Sequence, residues 1–307
     1  MRIASGSVSL PVKPTLEPAN ILRNIQLNDY LAAVIIGIVE GLTEFLPVSS
    51  TAHIRLTQSD ILGIAPEDEY WKMFSIVIQL GAILSVLVYF WRRILSFVQS
   101  FPGGQSGNRT WWNHPISLVM ISFVVTAIPC FLMDKIIGEN LENKTAIGLA
   151  LVIGGVVMWV VDKRFSETAT TKSVEDITIF QAVIIGLAQI FAAAFPGVSR
   201  SMSTIAGGQV MGLSREVALE FSFFLSIPVM VAATCFKLLQ FMLKSPVAMT
   251  GQQAIVLAIG FGVSFIVALV VIAWFMDWVK KRGFTPFAIY RIILGAFVLV
   301  SVYGLLG

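Results

Sequence analysis

The chain has 307 residues, 56% of them hydrophobic and 13% charged, with a mean hydropathy of +0.84, a composition that soluble domains rarely carry. A formal charge of +3 is too small to point to nucleic acid. Cys130 and Cys235 both fall inside apolar runs without metal or disulfide spacing, so they read as small packing residues and set no redox compartment.

In chain order, residues 1–28 hold Pro11, Pro14 and Pro18 and no apolar stretch of signal-peptide length, which reads as a flexible polar leader. Residues 40–53 then bring two carboxylates, two serines, a threonine and a histidine into a chain otherwise suited to lipid. Ionisable groups at membrane depth are costly and usually serve a function. Glu40 and Glu44 stand four apart, so on a helix they share one face with Cβ atoms about 5–6 Å apart. Such a pair shares a proton or is neutralised by a cation, and oxygen ligands without sulfur suit Mg²⁺ or Ca²⁺. The alternative is a purely structural pair bonded to the second interrupted stretch of the chain or to water. Pro47 should end that helix, leaving Ser49, Ser50 and Thr51 at the start of the next, where hydroxyls and free N–H groups attract anions. His53 is placed to trade a proton with a neighbouring hydroxyl or leaving oxygen, and which hydroxyl it faces is open.

Apolar runs long enough to cross a bilayer, which takes about 20 helical residues, follow at Met73 to Trp91, Pro115 to Met133, Ala146 to Val161, Ala218 to Leu239, Ala254 to Met276 and Phe287 to Leu306. His114, beside Trp111 and Trp112, reads as part of an interfacial belt. Gly37 and Gly41 permit close helix packing. Glu220 and Arg291, each near the start of a span, read as snorkelling to an interface, with a substrate role as the competing reading.

Ala33-Val-Ile-Ile-Gly37 recurs identically as Ala182-Val-Ile-Ile-Gly186, and the register continues: Glu40 falls against Gln189, Pro47 against Pro196, and Phe74-Ser75 against Phe221-Ser222. Each copy opens with an apolar stretch interrupted by proline and small polar residues, which lipid tolerates only where the freed backbone is buried in protein or faces a wet cavity. Both interruptions therefore read as re-entrant hairpins. The expected fold is an all-α integral membrane protein with six transmembrane helices and two re-entrant helical hairpins, arranged as an inverted-topology two-fold repeat. Residues 29–162 form the first repeat and 163–307 the second, within one membrane domain. Arg92-Arg93, Lys163-Arg164 and Lys280-Lys281-Arg282 fall on one face, expected to be cytoplasmic. The Glu67-Asp68-Glu69 loop, the Asp134 to Lys144 connection and both termini then lie outside.

In the second hairpin Arg200 follows Ser199 and precedes Ser201, with no acidic neighbour in sequence. Its fork of donors matches phosphate oxygens, and an ion pair with Glu40 or Glu44 is the competing reading. Either brings the hairpins together.

The segments Glu40-Gly-Leu-Thr-Glu-Phe-Leu-Pro-Val-Ser-Ser-Thr-Ala-His53 and Pro196-Gly-Val-Ser-Arg-Ser201 together resemble the two signature motifs of the bacterial undecaprenyl-diphosphate phosphatase family, the bacitracin-resistance proteins. Phe74 to Gly81, Phe221 to Pro228 and Tyr290 to Gly295 also look like that family. The resemblance implies removal of the terminal phosphate from a polyprenyl diphosphate lipid in the bacterial plasma membrane, recycling a carrier for cell-wall synthesis at a site reached from the outer face. It implies Glu40 and Glu44 as ligands of a divalent cation, Ser50 or His53 leading the attack, Glu44 taking part in catalysis, and Arg200 clamping the diphosphate. Ser49, Thr51, Ser199 and Ser201 would hold its oxygens. Met202 stands where the family usually has glycine, which could tighten the loop or hinder approach to phosphate. The expected partners are the lipid substrate, the membrane and a second copy of the chain in a homodimer. A secondary transporter or flippase of a phosphate-bearing lipid or anion shares the broken-helix architecture, but it has no use for a histidine beside hydroxyls and a carboxylate pair.

Overall fold

The computed structural model describes residues 18–103, 110–133, 143–244 and 249–304. Its named elements are all helical. They are α1 (Pro18–Thr43), α2 (Ser50–Leu56), α3 (Glu69–Tyr89), α4 (Trp91–Ser100), α5 (Pro115–Leu132), α6 (Lys144–Phe165), α7 (Ile179–Ala194), α8 (Arg200–Val210), α9 (Arg215–Lys244), α10 (Gly251–Arg282) and α11 (Thr285–Val302). Six are long and apolar enough to cross a membrane: α3, α5, α6, the Arg215–Gln240 part of α9, α10 and α11. They coincide with the six apolar runs. Of the expected leader, residues 1–17 lie outside the described residues, and α1 already begins at Pro18. Most of the Asp134 to Lys144 connection lies outside them too.

Local chemistry sets the helix ends. Asp68 caps α3 by accepting from the Trp71 N–H at 3.1 Å, and Asn143 caps α6 from the Ala146 N–H at 3.0 Å. Thr178 with Gln181, and Thr250 with Gln253, close reciprocal capping boxes on α7 and α10. Gly283, at φ 67, ends α10 in a conformation that costs glycine nothing, and Pro286 opens α11. His114 is a correction: it is fully buried and caps α5 through the Ile116 N–H, while Trp111 and Trp112 stay exposed. The imidazole is drawn inward because the first N–H groups of α5 have no partner within the helix.

Lipid tails are as apolar as leucine, so packing and polar ties rather than water exclusion hold such helices together. α1 lies so close to α10 that a Cβ on Gly37 would fall 2.8 Å from the Gly260 carbonyl, and one on Gly41 2.7 Å from Val267 Cβ. On the other side, Ser122 and Thr126 of α5 donate to the carbonyls of Ala182 and Gly186 in α7 at 2.6 and 2.8 Å. Phe131, Val270, Ile293 and Phe297 point outward. Cys235 is exposed as well and does not pack inside; Cys130 is half-buried.

At one end of the bundle, buried Asp162 accepts from Arg215 Nε at 2.6 Å, the Phe284 N–H at 3.1 Å and Thr285 Oγ1 at 3.2 Å. This joins the end of α6, the start of α9 and the α10–α11 turn. Arg93 pairs there with Glu175 and with Glu220, which is thereby a half-buried ion-pair partner and not a snorkelling carboxylate. Asp60 and Lys144 pair at 2.5 Å at the opposite end.

Candidate active site

The chain breaks twice between paired helices, after α1 at residues 44–49 and after α7 at residues 195–199. Pro47 and Pro196 stop the helices by removing a backbone donor. Each break ends on a serine with φ 75, Ser49 and Ser199, the only non-glycine residues with positive φ among the described residues. Each serine caps the short helix that follows, Ser49 accepting from the Ala52 N–H and Ser199 from the Met202 N–H, both at 3.4 Å. A non-glycine residue in this region costs about 1–3 kcal/mol and persists only where its surroundings enforce it.

The breaks meet. Ser201 Oγ donates to the Leu46 carbonyl at 3.0 Å, and Arg200 donates to Glu44 Oε1 at 3.1 Å with both side chains largely buried. The Ser50 hydroxyl donates to the other Glu44 oxygen, Oε2. One carboxylate therefore joins a hydroxyl from the first break and a guanidinium from the second, and it is the ion pair anticipated for Arg200. Glu44, Ser49, Ser50, Thr51, Ser199 and Arg200 line one polar cavity, together with Gln79 of α3.

Ser201, His53, Met202 and Glu40, all singled out in the sequence, stand outside that lining. Ser201 is buried; its hydroxyl donates to the Leu46 carbonyl and meets the Ser199 hydroxyl at 3.1 Å, so it ties the breaks together and is not among the residues lining the cavity. His53 turns away from the hydroxyls: Nδ1 meets the Ser49 carbonyl and Nε2 the Tyr290 hydroxyl, both at 2.7 Å. A carbonyl can only accept, so Nδ1 carries the proton and neutral Nε2 accepts from Tyr290. Met202 is buried in the hydrophobic core; its Cε would lie 3.0 Å from a Cβ on Gly154 of α6, and it does not line the cavity.

Glu40 is wholly buried against Glu44, and no other group among the described residues donates a hydrogen bond to its oxygens. A charged carboxylate left so is costly in a low dielectric. Two adjacent carboxylates, one of them without a hydrogen-bond donor, fit a hard divalent cation whose other ligands are water or phosphate oxygens. No larger cluster of metal-ligating side chains occurs among the described residues.

Arg291 corrects another expectation. It does not snorkel: it is fully buried and donates to Pro47 O at 3.1 Å, Ala150 O at 3.1 Å and Gly197 O at 3.0 Å. Its depth inside an apolar helix with no acidic residue of its own was the available signal. For Tyr290 the signal was its place at the head of the Tyr290 to Gly295 stretch that resembles the family.

Beside the polar cavity, an apolar cleft walled by Phe123, Ala127, Phe131, Val229 and Phe236 runs between α5, α7 and α9 and reaches Ala192 and Arg200. Ala192 and Arg200 also line the polar cavity.

Residues 33–297 match the model of the bacitracin resistance protein BacA family. The chain is 54% identical to an undecaprenyl-diphosphatase of Koribacter versatilis, over 89% of this chain and 98% of that protein. It is 42% identical to one of Clostridium tetani, over 88% and 95%, and 38% identical to one of Bdellovibrio bacteriovorus, over 89% and 96%.

Proposed function

The chain belongs to the bacitracin resistance protein BacA family, and from that premise we propose that it hydrolyses undecaprenyl diphosphate to undecaprenyl phosphate and inorganic phosphate, returning the lipid carrier to cell-wall synthesis. The observation that carries the reading is the Ser50–Glu44–Arg200 junction at the end of an apolar cleft. A polyprenyl chain fits such a cleft, and a diphosphate head fits the polar cavity beside it.

In this reading Arg200 and the N–H groups at the start of α8 bind the diphosphate oxygens. Ser50 Oγ attacks the terminal phosphorus in line, and Glu44 takes its proton. The Ser–O–P bond forms as the bridging P–O bond breaks, and undecaprenyl phosphate leaves. Water then cleaves the phosphoserine, releasing phosphate and returning the proton to Ser50. Ser49, Thr51 and Ser199 hold phosphate oxygens at the cavity wall. His53 supports the Ser49 turn and, through Tyr290, the last helix. Glu40 and Glu44 would hold Mg²⁺ or Ca²⁺, which when bound offsets charge on the phosphoryl oxygens.

The α1–α2 and α7–α8 pairs are read as re-entrant hairpins of an inverted repeat. Gln181 near the start of α7 donates to the Met211 carbonyl just past α8 at 2.9 Å, which supports a second pair that returns to the end it entered from. Packing supports the repeat too: α1 on α10 mirrors α7 on α5, α3 on α10 mirrors α9 on α5, and α6 and α11 pack on each other. The basic end formed by Arg92, Arg93, Lys163, Arg164 and Lys280 to Arg282 is read as cytoplasmic, in the bacterial plasma membrane, with the diphosphate entering from outside.

The test is phosphate release from a polyprenyl diphosphate in detergent, with Mg²⁺ or with EDTA. Chelator-sensitive release supports hydrolysis, whereas binding of the lipid without release rejects it.

A further inference from the structure

Arg291 is a buried cation with no carboxylate partner among the described residues; its terminal nitrogens donate only to backbone carbonyls, and its buried Nε has no hydrogen-bond partner among the described residues. Burying a guanidinium is expensive, and a structural helix contact does not require one. Its two terminal nitrogens reach different breaks, NH1 the Pro47 carbonyl and NH2 the Gly197 carbonyl. Each of those carbonyls lies two residues ahead of a serine held at φ 75. NH2 is further anchored on Ala150 O in α6.

Ser49 and Ser199 need an external restraint to keep their conformation, and one planar fork supplies it to both. We propose that Arg291 is a positioning residue for the hydrolase: it clamps the two breaks together so that Ser50 and Arg200 are presented to one diphosphate. This role rests on the reading given under Proposed function. A lysine keeps the charge but offers a single nitrogen on a flexible stem, which cannot reproduce the planar fork.

Gly154 of α6 gives a way to move the guanidinium without removing it. A Cβ there would lie 2.3 Å from Arg291 NH2 and 3.2 Å from its Cζ, so Gly154→Ala must push the fork off the breaks. Alanine is also the better helix former by about 1 kcal/mol, so α6 itself is not weakened.

The experiment measures kcat and KM for phosphate release from a C15 polyprenyl diphosphate by folded wild-type, Gly154→Ala and Arg291→Lys proteins. Displacement of catalytic groups by about an ångström costs on the order of 100-fold, so Gly154→Ala is expected to lower kcat about 10- to 100-fold, with KM within about threefold. Arg291→Lys should lower kcat at least as much, and the double variant should be no worse than Arg291→Lys, because both act through one guanidinium. A merely structural arginine would change the yield of folded protein and leave kcat per folded molecule unmoved. Wild-type kcat in folded Gly154→Ala, a loss carried by KM, or a Gly154→Ala chain that does not fold each overturns the clamp. If Arg291→Lys does not fold, Gly154→Ala alone decides. Absence of release by the wild-type chain would instead overturn the hydrolase reading, and the clamp with it.

Discussion

Ser50 donates its hydroxyl to Glu44, while His53, one turn further along the same short helix, donates to the Ser49 carbonyl and meets Tyr290. In the proposed reaction the carboxylate, not the imidazole, therefore takes the serine proton. Loss of a nucleophile or of its base removes catalysis as a unit. Ser50→Ala and Glu44→Gln are each expected to lower kcat by at least about 100-fold. The double variant should fall little further. Phosphate release measured on all three checks this, and fully additive losses would count against the pairing.

His53 acts at one remove in this geometry, so its loss should cost less than that of Ser50. His53→Ala is expected to lower kcat about 10- to 100-fold by freeing the Ser49 turn. Tyr290→Phe, which removes one hydrogen bond worth about 1 kcal/mol, should cost about fivefold. Steady-state rates on the two variants check the order; a His53→Ala loss equal to that of Ser50→Ala would restore the histidine to the attack.

Glu40, buried against Glu44 with no donor to its oxygens among the described residues, carries the metal prediction. Glu40→Gln should raise the Mg²⁺ concentration for half-maximal rate by about 10-fold or more, since one carboxylate of two is lost from a hard-cation site. Titrating Mg²⁺ into chelator-treated protein checks it. An unchanged titration curve would move the metal elsewhere or remove it.

A pH prediction comes from the basic end. Burial pushes the Glu175 carboxyl up, but the Ser173 hydroxyl, its own backbone and Arg93 outweigh this and hold it below its ordinary value of 4.5. A carboxylate whose folded pKa is depressed contributes stability above its unfolded pKa and loses it as pH falls through the folded one. Wild-type Tm should therefore drop as pH falls below about 4.5, and Arg93→Met should flatten part of that drop. Thermal melts in detergent from pH 6 to 3 measure the difference between the two proteins.

The spans and the two breaks were legible because a twenty-residue apolar run and a proline beside small polar residues each have a local cause. Glu44, Ser50 and Arg200 were legible as chemistry out of place in lipid, and the Glu44–Arg200 pair as the partner a buried cation needs. Arg291 was misread because snorkelling and burial start from the same sequence, a cation in an apolar helix. What separates them is the position of Pro47 and Gly197, more than ninety residues away in the chain. His114 was misread for a similar reason: the tryptophans beside it face outward, but the unpaired N–H groups of α5 pull the imidazole in. The direction of His53 depended on Tyr290, which no local pattern links to it.

The most direct test is single-turnover reaction with a polyprenyl diphosphate labelled in its terminal phosphate, quenched in acid at early times. Label attached to the Ser50 peptide, and absent from Ser50→Ala, is the predicted result. Label appearing only as free phosphate, with Ser50→Ala turning over at the wild-type rate, would contradict it.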